Sequence, residues 1–223
     1  MHAALTDRVA ALCGVAGAAL VFGGLTTANG ATASISNDDP AESIAFALDA
    51  GRDEVRLGVT LALVGIFLVI WFLGWLHGRV RAAGGHGWLS AVVLGGGTIG
   101  VAGILGYAGV LVAATNSAIV TAPETARTLL IVTWELGGVL APAFGALVGA
   151  TSIACLRYRL LPRLAAPVAW AGIPLALGLG LSGFLGGFLV VVALAWLFGL
   201  ALCLLVFPVP TGDVRPLLAT TSP

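Results

Sequence analysis

Apolar residues fill long stretches of the chain and polar residues collect between them, so the contrast lies between segments more than between faces. A helix of ~20 mostly apolar residues crosses the ~30 Å hydrocarbon core of a bilayer. On that length six spans are predicted, at about 9–25, 57–76, 88–114, 128–156, 164–181 and 184–207. The apolar run from Leu164 to Phe207 is too long for one crossing and must fold as a tight hairpin, turning at Ser182-Gly183. Residues 1–207 then make one transmembrane domain, an all-α polytopic bundle of six helices. Residues 208–223 carry four prolines and are expected to form a disordered tail.

The longest polar segment, Thr26 to Val55, separates the first two spans. It opens with small polar residues that favour irregular structure. Asp39-Pro40-Ala41-Glu42 then reads as a helix start, with Asp39 as cap, Pro40 in the first turn and Glu42 reaching back. Ile44, Leu48 and Val55 recur at helical spacing, opposite Glu42, Asp49 and Asp53. This predicts a short amphipathic helix that packs on protein, since an acidic, lysine-free helix gains nothing from anionic lipid. The first span has a second reading. Arg8, an apolar run and Ala31-Thr32-Ala33 also fit a signal peptide with a small-residue cleavage site. The expectation carried forward is a retained helix.

Composition agrees with the pattern and narrows it. Hydrophobic residues make up 59% of the 223 and charged residues 9%, with a mean hydropathy of +1.08. A soluble globule would carry about 25% charged residues. Disordered, collagen-like and disulfide-stapled classes are excluded with it.

The charge is neutral overall, with ten arginines, ten acids and no lysine, and its distribution sets an orientation. With the N-terminus inside, Arg8, Arg79, Arg81, Arg157, Arg159, Arg163 and Arg215 fall on the inner side. Only Arg52, Arg56 and Arg127 fall outside. That asymmetry fits the positive-inside rule and places both termini in the cytoplasm, with the amphipathic helix in the first outer loop. Trp75, Trp88 and Tyr158 fall where an interfacial aromatic belt belongs. The glycine- and alanine-rich, lysine-free composition suggests a bacterial protein, hence the bacterial cytoplasmic membrane. No basic run is long enough to track a nucleic acid.

Few residues offer chemistry. Span three carries seven glycines from Gly95 to Gly109, and span four has Ala141, Gly145 and Gly149 four apart. Small residues let helix backbones approach and pack by dispersion, where lipid supplies no hydrophobic drive. Gly96, Gly100, Gly103, Ala141, Gly145 and Gly149 are therefore expected at helix contacts, within the chain or against a second copy or membrane partner. Glu135 is the only acid inside a span, roughly 10–15 Å from the outer end at ~1.5 Å per residue. A charge there costs ~2.5–3.5 kcal/mol, so Glu135 is expected to turn toward the bundle interior on the face it shares with Pro142. It could bind a cation or proton, or simply hydrogen-bond a neighbouring helix.

Other candidates are weaker. Gly180-Leu181-Ser182-Gly183 resembles the Gly-x-Ser-Gly of rhomboid proteases, but His2, His77 and His86 all precede Ser182, leaving no later base. His77 and His86 read as solvated loop histidines, unsuited to metal or haem. Cys13, Cys155 and Cys203 read as small buried hydrophobes without a disulfide. No catalytic cluster, cofactor motif or metal site is found.

Arg159-Leu160-Leu161-Pro162-Arg163 after span four, then Trp170-Ala171-Gly172 early in span five, follow a first span and a long outer loop. In these features residues 9–205 resemble the six-span bacterial membrane proteins catalogued as domain of unknown function 4386. The resemblance implies a helical membrane bundle and carries over no functional residue. The expected function is that of a non-enzymatic integral membrane protein, a structural or accessory subunit or self-associating scaffold. The alternative is a small-solute or proton-coupled transporter using Glu135. A polar cavity reaching Glu135 would favour the transporter, and a dry, close-packed interior the scaffold.

Overall fold

The computed structural model describes residues 2–36, 38–84, 87–116, 121–161, 165–181 and 186–207, without the side chains of residues 2–4, 84 and 186–189. Among the described residues eight helices follow in order: α1 His2–Gly30, α2 Ala41–Ala50, α3 Arg52–Gly84, α4 Trp88–Ala114, α5 Pro123–Val139, α6 Ala141–Arg157, α7 Ala166–Leu181 and α8 Gly186–Val206. No strand occurs among the described residues. Four helical stretches are long and apolar enough to cross a membrane: Leu5–Gly30, Arg52–Ala83, Trp88–Ala114 and Pro123–Arg157. α7 and the Val190–Val206 part of α8 are shorter apolar helices. The hairpin turn at Ser182-Gly183 and the tail 208–223 lie outside the described residues.

The helices form where the apolar pattern places them, and their ends are set locally. α4 is helical from Trp88 to Ala114 despite its glycines. In an apolar surrounding every backbone group must be satisfied within the segment, which outweighs glycine's low helix propensity. α3 runs beyond the apolar stretch 57–76 at both ends. Asp53 and Glu54 in its first turn and Arg81 in its last complement the helix dipole. α5 opens on Pro123 with Glu124 in the first turn, a start that needs no proline N–H.

The fourth apolar segment, 128–156, is two helices rather than one, separated at Leu140. Pro142 stands in the first turn of α6, where its missing N–H breaks no helical bond. α6 closes with Tyr158 N–H donating to the Ala154 carbonyl and Leu160 N–H to the Cys155 carbonyl. This Schellman pattern puts Arg159 at φ 52°, a left-handed position usually given to glycine.

α1 and α3 pack antiparallel along most of their length, and α8 covers another side of α1. α4 bridges α3 to α5 and α6, and α7 closes on α6 and α8. The main core includes Phe72, Leu76, Leu89, Val93, Phe144, Leu147 and Leu200. A second core, at one end of the bundle, gathers Ile44 and Leu48 of α2, Val55 and Val59 of α3, Leu111 of α4 and Leu130 of α5. α2 thus lays its apolar side on protein, with Glu42 and Asp49 exposed. Its start differs from the expectation. Asp39 does not cap the helix but accepts the Ser36 N–H at 2.7 Å, closing a turn, and α2 begins after Pro40 without a side-chain cap.

One end of the bundle is tied by polar contacts. Asp7 pairs with Arg79 at 3.4 Å and accepts the Trp75 indole N–H at 2.9 Å, and the Arg79 guanidinium lies 5.4 Å from the Trp75 ring. His77 is not a solvated loop residue. It lies on α3, half-buried, with Nδ1 2.8 Å from the Ser90 carbonyl of α4, because the helix continues past the apolar stretch. His86 lies outside the described residues.

Candidate functional site

The helix-packing residues divide between two interfaces. A methyl group built at Gly96 would sit 2.8 Å from Leu147 N, and one at Gly100 3.3 Å from the Phe144 ring. Gly103 lies under Leu140. These three glycines are where α4 meets α6 and the α5–α6 junction. Ala141 is fully buried. Gly145 and Gly149 face Ala176 of α7. Gly95, Gly106 and Gly109 meet nothing within 4 Å.

The closest backbone approach is elsewhere, between α1 and α3. A methyl group at Gly17 would lie 2.9 Å from the Gly65 carbonyl oxygen, and Gly24 and Gly58 oppose each other in the same way. Both pairs are seven apart, two turns of helix, so each helix presents its glycines on one side. That spacing was readable, but it needed the two spans to be compared as antiparallel partners.

Glu135 does not turn into the bundle; it is exposed on the outside of α5. The inward positions there are Ala126, Leu130 and Thr133, with Thr133 donating to its own helix at the Leu129 carbonyl, 2.8 Å away. The buried polar residues described are Thr and Ser only, so the interior offers no charge to pair with a carboxylate. Among Val21, Leu73, Gly97, Phe144 and Leu194 the void at the centre is about 10 Å³, at the lower limit for a single water. An acid there would be unpaired and dry.

Glu135 belongs to an exposed face that is continuous from Thr128 to Ala146. Thr128, Val132, Glu135, Val139, Pro142, Ala146 and Ile153 are all exposed, at steps of four, three, four, three, four and seven. This is the 3.5-residue period of a coiled-coil seam, unbroken across the α5–α6 junction. The face is β-branched or small except for the carboxyl at its middle. Glu135 and Pro142 do share a face, as their spacing requires, but it is the outer one.

A pocket of about 320 Å³ opens between the end of α1, α4, α5 and α8, toward the end of the bundle that carries α2. Its polar rim is Asn29, Thr32 and Tyr107, where the Tyr107 hydroxyl donates to the Asn29 side-chain carbonyl. Thr32 Oγ1 donates to the Asn29 backbone carbonyl at 3.2 Å. Trp134 forms one wall, and Ile104, Gly137, Leu140 and Val190 line the deeper part. Glu135 is not among its walls, although Trp134 and Gly137 flank it in sequence.

Comparison with protein-family models, curated proteins and solved structures gives no match. The likeness to the six-span family therefore rests on the residues quoted for it. Of those, Pro162 and Arg163 lie outside the described residues. Gly172 is a packing residue, placed so that a methyl group would come within 2.9 Å of the Trp196 ring. Trp196 in turn donates its indole N–H to the Val168 carbonyl at 2.7 Å, joining α8 to α7.

Ser182 also lies outside the described residues. Cys13, Cys155 and Cys203 are free thiols, Cys155 fully buried. Among the described residues no three His, Cys, Asp or Glu side chains gather as a metal site would require.

Proposed function

We propose that the chain is a non-enzymatic, six-span protein of the bacterial cytoplasmic membrane that works by association within the bilayer, through the outer face of α5 and α6. The observation that carries this is Glu135, a carboxyl at the middle of an exposed 3.5-residue repeat. On a face left to lipid it would cost ~2.5–3.5 kcal/mol, whereas against another helix it gains a hydrogen bond. A single polar residue in such a seam fixes register and partner number. A second copy related by a two-fold axis along the membrane normal would set Glu135 opposite Glu135 at equal depth, which makes a self-associating scaffold the leading form. A different chain on the same face would make the protein an accessory subunit.

The dry centre and the absence of Glu135 from the outer pocket both favour association over solute transport. The polar ties at one end, Asp7 to Arg79 and His77 to Ser90, keep the start of α1 on the same side as the end of α3 and the start of α4, as an orientation with the N-terminus in the cytoplasm requires. The acidic α2 belongs to the other end, beside the start of α3.

The test is the oligomeric state of the full chain in lipid nanodiscs and its co-purifying proteins, for wild type, Glu135→Gln and Glu135→Leu. A stoichiometric dimer or complex retained by Gln and weakened by Leu is expected. A monomer without partner in native-membrane extracts, unchanged in both variants, would contradict the proposal.

A further inference from the structure

The outer pocket has a shape and a set of donors that the association reading does not use. Tyr107 lies seven residues before the end of α4, about 10 Å from the outer end of that helix. Asn29 is in the last turn of α1. Gly137 and Leu140 lie 14 and 17 residues past the start of α5 at Pro123, about 21–26 Å along its axis. The pocket therefore runs from just below the outer surface toward mid-membrane, polar at the shallow end and apolar below. At about 320 Å³ it is at the small end of ligand pockets and has room for roughly ten water-sized groups, enough for a segment of one chain and too little for a whole phospholipid.

The polar rim selects the head. Tyr107 spends its hydroxyl hydrogen on the Asn29 side-chain oxygen. The Asn29 amide nitrogen and the Trp134 indole nitrogen then remain as donors with no hydrogen-bond partner among the described residues, and both residues line the pocket. No Arg, His, Asp or Glu lines the pocket. Unpartnered neutral donors over an apolar slot call for an uncharged acceptor on a hydrocarbon chain.

We propose that this pocket binds an acyl ester of an outer-leaflet lipid, with the ester carbonyl on Asn29 and Trp134 and the chain lying over Gly137 and Leu140. The polar rim lies at the end of the pocket nearer the helix termini, where a lipid ester belongs under the proposed orientation, and Gly137 lines the slot without a side chain. This proposal rests on the orientation proposed above and not on the association of α5 and α6.

The experiment uses the full chain in phosphatidylcholine vesicles in which a small fraction of the lipid carries a diazirine on one acyl chain. After irradiation, the crosslinked peptides are mapped. Crosslinks concentrated on the peptides holding Tyr107, Trp134 and Val190 are expected. They should fall at least fivefold in Gly137→Phe, which fills the slot, while crosslinks on the outer surface of α3 stay constant. Competition on the wild type removes dependence on that variant folding. Unlabelled ester-linked phosphatidylcholine should compete at least fivefold better than its ether-linked analogue, which lacks the carbonyls. Crosslinks spread evenly over all outward faces, or equal competition by ester and ether lipid, would overturn the proposal.

Discussion

The α1–α3 seam and the outer face of α5–α6 are built on the same repeat and end differently. Gly17 and Gly24 meet Gly65 and Gly58 seven residues apart, and the two backbones close on each other. Thr128, Val132, Glu135, Val139, Pro142, Ala146 and Ile153 repeat at 3.5 residues and are exposed. In the first seam dispersion between close backbones holds the helices, and every residue on it is satisfied when the two helices touch. In the second, the carboxyl at the centre is satisfied by no neighbour in its own chain. On the proposed reading both repeats are made for another helix, and the unpartnered carboxyl marks the one whose partner comes from outside the chain.

The largest effect separating the two should come from bulk in the closed seam. Gly65→Leu drives a side chain into Val21 and the Gly17 carbonyl, and should cost about 3 kcal/mol or more, beyond the usual range for overpacking because backbone is in the way. Gly106→Leu, which meets open space, should stay within about 0.5 kcal/mol. Thermal unfolding in detergent, followed by circular dichroism, compares them. Equal losses would mean that the α1–α3 approach is looser than described.

A middle-sized effect should appear on the open face, in association alone. Glu135→Leu removes an interhelical polar bond worth about 0.6–2 kcal/mol, a roughly 3- to 30-fold weakening of the complex. Unfolding of the isolated chain should move by less than about 0.5 kcal/mol. Ala146→Phe, three turns further along the same face, should likewise weaken association and spare the fold. A stability loss in either variant comparable to that of Gly65→Leu would place this face inside the monomer's own packing.

The smallest effects are expected at single polar contacts between helices. Asp7→Asn loosens a partly exposed ion pair with Arg79 and should cost about 0.2–1 kcal/mol, less at high salt. Trp196→Phe removes the indole bond to the Val168 carbonyl and should cost about 1 kcal/mol, insensitive to salt. Denaturation at low and high ionic strength distinguishes the two.

Much of the fold was legible because apolar length is a strong signal. The segment 88–114 matches α4 residue for residue, and Ile44, Leu48 and Val55 are buried, the first two on α2 and Val55 in the first turns of α3. Helix ends were less legible. The charged turns that extend α3 past 57–76 lie outside any apolar stretch and are held by the helix dipole.

The orientation of Glu135 was misread for a specific reason. Both sides of α5–α6 repeat at 3.5 residues, inward through Ala126, Leu130, Thr133, Leu140, Phe144 and Leu147 and outward through the Glu135 face. Cost alone sends an acid inward, but the interior holds no partner for it. The outer pocket could not be read at all, since Asn29, Tyr107, Trp134 and Val190 come from four segments whose meeting depends on the packing of the whole bundle.

The central claim, that the α5–α6 face is covered in the membrane, is tested most directly by a photocrosslinking amino acid at Val139, 72% exposed and four residues from Glu135. Irradiation of native membranes should join Val139 to a helix of a second copy or of one defined partner, and Glu135→Leu should remove most of that product. The same probe at Ile70, on the exposed side of α3, should capture lipid. Lipid adducts alone at both positions, unaffected by Glu135→Leu, would contradict the account.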